Sequence, residues 1–202
     1  MHIFRYGETE IEHLKKRDKK LGTAIEDIGM IERSVTPDLF EALVVSIASQ
    51  QISARAAETV WARMEARFGV ITPGSIVSAT QEEIQQCGMS MRKAGYIKGI
   101  GNAVLGGSLD LPGLRRLSDD EVIAGLSALN GVGVWTAEML LIFSMERPDV
   151  LSWGDLAIRR GMMRLYGKES IDRPAFERYR KRYSPYGSVA SLYLWEISHR
   201  EL

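Results

Sequence analysis

Cysteine is nearly absent. The 202 residues hold one, Cys87, so no disulfide can form within the chain and no four-cysteine iron–sulfur cluster or cysteine zinc site can be built. That usage suits a reducing cytoplasm. Long apolar runs are also missing, since nothing approaches the roughly 18 residues that span a bilayer, and no membrane association is expected. The opening residues, MHIFRYGETEIEHLKKRD, carry early charges and no apolar core, so they do not read as a secretory signal. Histidine is scarce, and His2, His13 and His199 have no spacing that suggests a metal site or a catalytic pair. Excess charge is absent too, with 26 basic residues against 26 acidic ones. That balance argues against a purely electrostatic nucleic-acid binder and leaves room for a local basic face.

Strand alternation and Asn-Gly hairpins between β runs are lacking. What is present is helical periodicity, and the chain reads as all-α, with about ten short helices joined by short loops. Thr36-Pro37-Asp38 reads as a helix start, with Thr36 as cap and Pro37 in the first turn. Leu39, Phe40, Leu43, Val44 and Ile47 then share one face. Ser53 opens a second helix that Gly69 stops. Thr80 with Glu83, and Ser118 with Glu121, form capping boxes. Pro174 opens a basic helix, and a final apolar helix covers roughly Ser188 to Ser198. No repeat or linker is visible. Trp61 is expected in the core.

The most informative segment is LSALNGVGVWTAEMLLIFS, residues 126–144. A helix with the apolar stripe Val122, Leu126, Leu129 meets Asn130-Gly131-Val132-Gly133, and a second helix starts at once with Val134, Trp135 and Thr136. Two glycines flanking one apolar residue permit a tight turn with positive φ. They also leave backbone N–H groups uncovered at a helix start, where amides and dipole together bind a phosphate without reading sequence. The spacing alone fits this and a plain helix–helix turn equally. A Walker-type loop is excluded, because no Gly-Lys-Ser/Thr follows.

LNGVGVWTA resembles the helix-hairpin-helix of the HhH-GPD DNA glycosylase superfamily, with Asn130 in place of the usual proline. About twenty residues on, where that superfamily carries an aspartate, SWGDLAIRRGMMRLYG supplies Asp155. FEALVVSIASQQISARAAETVW resembles the family's N-terminal helical pair, GMSMRKAGYIKGIG an element of its alkyl-base branch, and SLYLWEIS that branch's last helix. The sequence is most similar to the 3-methyladenine DNA glycosylase II group.

The resemblance implies a two-lobed all-α fold across residues 1–202, with the lobes sharing a cleft and the hairpin at about 121–144. It implies a DNA glycosylase that removes alkylated purines of the 3-methyladenine or 7-methylguanine type from duplex DNA, opening base excision repair. Asp155 would be the catalytic carboxylate, stabilising positive charge on the sugar and orienting water. Read locally, it is also an ordinary helix N-cap. Trp135 stands where strand-cutting relatives carry a lysine nucleophile, so the implied enzyme is monofunctional. Trp135 and Trp195 match aromatic base-pocket positions, with Met139 and Gln50 beside them. Met139 and Glu196 stand where some relatives carry tyrosine, which makes the pocket less aromatic. Gln51 matches the wedge that fills the gap left by a flipped nucleotide. Gly131, Gly133, Val134 and Thr136 would hold DNA phosphate.

Backbone carbonyls of Ser127, Leu129 and Val132 match positions that hold a monovalent cation, Na+ or K+, and no other cofactor is implied. Arg159, Arg160, Lys93 and the Arg178–Arg182 cluster could contact phosphates, although such charges more often form a solvated face. The implied partner is double-stranded DNA with damaged bases, bound by a monomer in a prokaryotic cytoplasm, at the nucleoid. Two other readings stay open: a glycosylase for neutral or mismatched bases such as uracil or thymine, and a non-catalytic helix-hairpin-helix DNA-binding protein.

Overall fold

Helix starts in this chain are set by short polar side chains. Asp18, Asp38, Ser53, Thr80, Ser118 and Asp155 each accept a backbone amide of the adjoining first turn, which satisfies donors that have no partner inside the helix. The computed structural model, which describes residues 2–200, has thirteen helices and one strand pair among those residues.

The chain begins with β1 (His2–Ile3), α1 (Glu8–Arg17), α2 (Lys19–Ile28) and β2 (Ser34–Val35). The strands pair antiparallel, His2 opposite Val35 and Ile3 opposite Ser34. Two residues cannot show a period of two, so this pair left no trace in the pattern. Next come α3 (Leu39–Ser49), α4 (Ala54–Phe68), α5 (Pro73–Ser78), α6 (Gln81–Gln85), α7 (Met91–Leu105), α8 (Leu111–Leu114), α9 (Asp119–Ser127) and α10 (Val134–Phe143). The chain closes with α11 (Leu156–Tyr166), α12 (Arg173–Tyr183) and α13 (Gly187–His199).

These elements form two compact units. One runs from Thr36 to Leu140, and the other combines the chain up to Val35 with the chain from Leu141 onward. In the first, α7 packs against α3, α5 and α6. Leu39, Phe40, Leu43, Val44 and Ile47 of α3 are buried together, as their spacing predicts. The cap of α3 differs from expectation: Asp38, not Thr36, accepts the Glu41 amide, at 2.9 Å. A carboxylate in extended backbone next to the first helical residue forestalls a cap two residues earlier.

In the second unit α11 and α13 lie along each other. Their approach is close enough that a Cβ added at Gly161 would overlap the Leu194 carbonyl. Asp18, nearly buried, links α2 to the same bundle: it caps α2, and its Oδ2 accepts from Arg182 Nη1 at 2.6 Å and from the Tyr166 hydroxyl. Tyr166 and Tyr183 hydrogen-bond each other at 2.6 Å, and burial pushes both phenols well above their ordinary pKa.

Gly161→Ala is therefore expected to destabilise the protein by about 1–3 kcal/mol through overpacking. Gly99→Ala, on an exposed helical surface with no atom within 4 Å of the new Cβ, is expected to stabilise by about 0.5–1 kcal/mol. Denaturant unfolding of the two variants gives opposite signs if the glycines have these distinct roles.

Candidate active site

Asp155 sits at the N-cap of α11 with extended backbone, φ −80° and ψ 112°. Its Oδ1 accepts the amides of Ala157 at 2.8 Å and Ile158 at 3.0 Å. Its Oδ2 accepts the indole N–H of Trp195 at 3.2 Å. Both oxygens of a side chain only 7% exposed are thus oriented by donors. Trp195 is held in turn by Phe143, whose ring stacks on it at 5.4 Å and 29°. The sequence placed Trp195 in a base pocket; the structure shows its indole N–H donating to the carboxylate. Glu196, the next residue, pairs with Arg33 at 3.5 Å and Arg200 at 2.9 Å. The Arg159 guanidinium lies 4.8 Å over the Trp153 ring. Trp153, which Arg173 and Phe176 also flank, was not singled out by the sequence.

The hairpin lies in the other unit, between α9 and α10. Val132 is buried and its amide closes the turn on the Leu129 carbonyl at 3.1 Å. Gly131 has φ 88°, and a Cβ there would collide with the Tyr96 ring, so glycine is required twice over. Gly133 differs from expectation, for it is not among the positive-φ glycines and no atom lies within 4 Å of a Cβ built on it. Nothing in the protein's own packing demands glycine there. The missing side chain leaves no Cβ beside the first residues of α10, where Val134 and Trp135 are exposed. Thr136 is buried, so its side chain is not on this exposed surface.

A cavity of about 370 Å³ adjoins the hairpin, lined by Ser46, Ser49, Gln50, Gln51, Trp135, Thr136 and Met139. That volume falls at the low end for small-ligand clefts, roughly 300–1,000 Å³. Gln50, Trp135 and Met139, grouped as pocket residues in the sequence, share this space with Gln51, and Trp195 does not line it. Gln50 Nε2 donates to the Gly131 carbonyl at 2.8 Å, joining the α3–α4 turn to the hairpin. Gln51 is exposed and has φ 58°, an uncommon conformation for a residue with a Cβ. Lys93 is no phosphate-facing charge: its ammonium donates to the carbonyls of Ala48, at 3.0 Å, and Gln50. Burial lowers its pKa from the ordinary value.

Trp61 is not in the core as expected but half-buried, at a groove with Glu41 and Glu58. In the basic helix α12, Arg180 pairs with Glu177 at 2.7 Å and Arg182 with Asp18, so much of its charge serves structure. Ser46, Ser49 and Phe143 are site residues that carried no motif.

The HhH-GPD superfamily of base excision DNA repair proteins matches residues 44–185, and the chain belongs to that family. It is 34% identical over 164 residues to DNA-3-methyladenine glycosylase 1 of Schizosaccharomyces pombe, covering 79% of this chain and 72% of that protein. The crystal structure of a DNA-3-methyladenine glycosidase from Bacillus halodurans superposes with a TM-score of 0.87 at 36% identity, over 98% of this chain and 93% of that one. The S. pombe 3-methyladenine DNA glycosylase in complex with abasic DNA gives 0.80 at 30% identity, over 94% and 96%.

Asparagine at 155 can still cap α11 through its oxygen, but its NH₂ would then face the Trp195 N–H, donor against donor. Asp155→Asn is expected to cost about 1 kcal/mol in wild type and only a few tenths in a Trp195→Phe background. Unfolding free energies of the four proteins of that cycle measure the coupling.

Proposed function

We propose that the protein is a monofunctional DNA glycosylase that hydrolyses the N-glycosidic bond of alkylated purines in duplex DNA, the first step of base excision repair. The observation that carries this is Asp155. A buried carboxylate, fixed through both oxygens at a helix start, is what an oxocarbenium-like sugar requires for charge stabilisation without reorganisation. The bond from sugar to base breaks, the base leaves with the bonding pair, and water oriented by the carboxylate adds to the sugar and gives up its proton through the carboxylate to solvent. In this reading Trp195 positions Asp155 and does not stack on the base. Trp135, half exposed at the cavity, offers a π face to a cationic base, an attraction worth about 0.5–2 kcal/mol. It has no amine with which to form a Schiff base, so strand cleavage is not expected.

Gln51 fills the gap left by the flipped nucleotide. The amides of Gly131, Gly133, Val134 and Thr136 at the start of α10 face phosphate. The carbonyls of Ser127 and Leu129 lie where α9 ends, at the negative pole of its dipole. With that of Val132 they suit a hard cation such as Na+ or K+, which would help bind the backbone. The protein acts as a monomer on damaged double-stranded DNA, in a prokaryotic cytoplasm at the nucleoid. No described helix is long and apolar enough to cross a membrane.

A second reading has one observation behind it. Ser46, Ser49, Gln50 and Thr136 give the cavity hydrogen-bonding capacity beside a single aromatic ring, which suits neutral or mismatched bases as additional substrates.

Single-turnover release of 3-methyladenine from methylated duplex DNA is expected to fall roughly 10²–10³-fold in Asp155→Asn. Full activity in that variant would remove the carboxylate from the mechanism. Borohydride treatment during turnover is expected to trap no covalent protein–DNA adduct and to leave the abasic strand intact; a trapped adduct would reverse the monofunctional assignment.

A further inference from the structure

Two lysines on α7 end in the same way. Lys93 donates to the carbonyls of Ala48 and Gln50 where α3 ends, and Lys98 donates to those of Val77, at 3.1 Å, and Ala79 where α5 ends. The last carbonyls of a helix have no donor within it, and an ammonium supplies three donors and the complementary charge. The two ends differ in the turn that leaves the helix. After α5, the chain enters a capping box that holds itself, the Thr80 amide donating to Glu83 at 2.8 Å. After α3 comes Gln51 at φ 58°. A residue with a Cβ keeps that conformation only where its surroundings over-determine it.

The over-determination is visible. The Gln50 carbonyl and the Gln51 amide belong to one planar peptide unit, and Lys93 holds that carbonyl from one side. The Gln50 side chain holds the turn from another, through Gly131. We infer that Lys93 is a positioning residue that fixes the Gln50–Gln51 peptide and so presents Gln51 in its left-handed conformation before DNA arrives. The inference rests on the wedge reading of Gln51 given under the proposed function.

The test compares Lys93→Met, Gln51→Ala, their double variant and Lys98→Met. In the free protein, Lys93→Met is expected to speed hydrogen exchange at the amides of 50–53 by about 10-fold, with α10 unchanged. In single-turnover release from methylated duplex DNA, Lys93→Met and Gln51→Ala should each slow release about 10-fold, and the double variant should be no slower than Gln51→Ala alone. Lys98→Met should lower the melting temperature and leave both readouts as in wild type. Lys93→Gln, with a shorter neutral donor, takes the place of Lys93→Met if that variant does not fold. Unchanged exchange at 50–53, or rate losses that multiply in the double variant, would overturn the inference. If wild type releases no methylated base, the glycosylase reading alone falls, and the exchange data still decide whether Lys93 holds the turn.

Discussion

Helices α11 and α13 touch backbone to backbone where residue 161 has no side chain. Gly161 meets Leu194, and the residue after Leu194 is the tryptophan whose indole reaches the Asp155 carboxylate. A bulkier residue at 161 would push the helices apart, and the 3.2 Å hydrogen bond would lengthen first, because its donor is carried by the displaced helix and its acceptor by the other. The direction of the carboxylate is therefore set by packing about a turn and a half away. Asp155 is committed twice, through Oδ1 to its own helix and through Oδ2 to α13. A group fixed at both oxygens does not have to reorganise when charge develops beside it, which is the physical content of preorganisation.

The unit that holds the hairpin is organised on the same principle, with backbone carbonyls in place of a carboxylate. Gly131 takes φ 88°, and the Tyr96 ring occupies the space a side chain would need. Its carbonyl then accepts from Gln50, and the Gln50 carbonyl accepts from Lys93. Tyr96 and Lys93 sit one turn apart on α7, so a single helix face supports both the hairpin and the turn that carries Gln51. The cavity lies against both supported segments.

What was legible in the sequence was what local chemistry determines. Capping boxes at Thr80 and Ser118, the glycine stop at Gly69 and the proline-led start of α12 each arise from contacts within a few residues, and the structure has each of them. Even there, competition between neighbours was hard to judge, as the cap at Asp38 in place of Thr36 shows. The base pocket, wedge and carboxylate were named through resemblance, and periodicity could not have supplied them: Asp155 by itself is one more N-cap. What could not be read was the partner of each side chain. Trp195 on a buried helix gives no hint that its N–H is aimed 40 residues back, and Lys93 looks like any exposed lysine until α3 is seen to end against it. Glycine spacing announced the hairpin but not that only one of its two glycines has positive φ. The second reason for glycine at 131, the Tyr96 ring, comes from another helix and leaves no mark near the hairpin.

The chemistry of the cavity wall bears on which bases can leave. Among the described residues lining it there is no carboxylic acid, lysine or histidine. The hydroxyls of Ser46, Ser49 and Thr136 and the Gln50 amide can hydrogen-bond a base but are poor proton donors to a departing one. A neutral base that leaves as an anion needs such a donor, or strong stabilisation of the charge it takes away. A base alkylated on a ring nitrogen already carries positive charge and leaves neutral, so it asks only that charge on the sugar be stabilised. In the proposed mechanism that is the part of Asp155. In that mechanism the polar wall orients the base, and a neutral base, additional substrate though it is, leaves more slowly than an alkylated one because no acid protonates it.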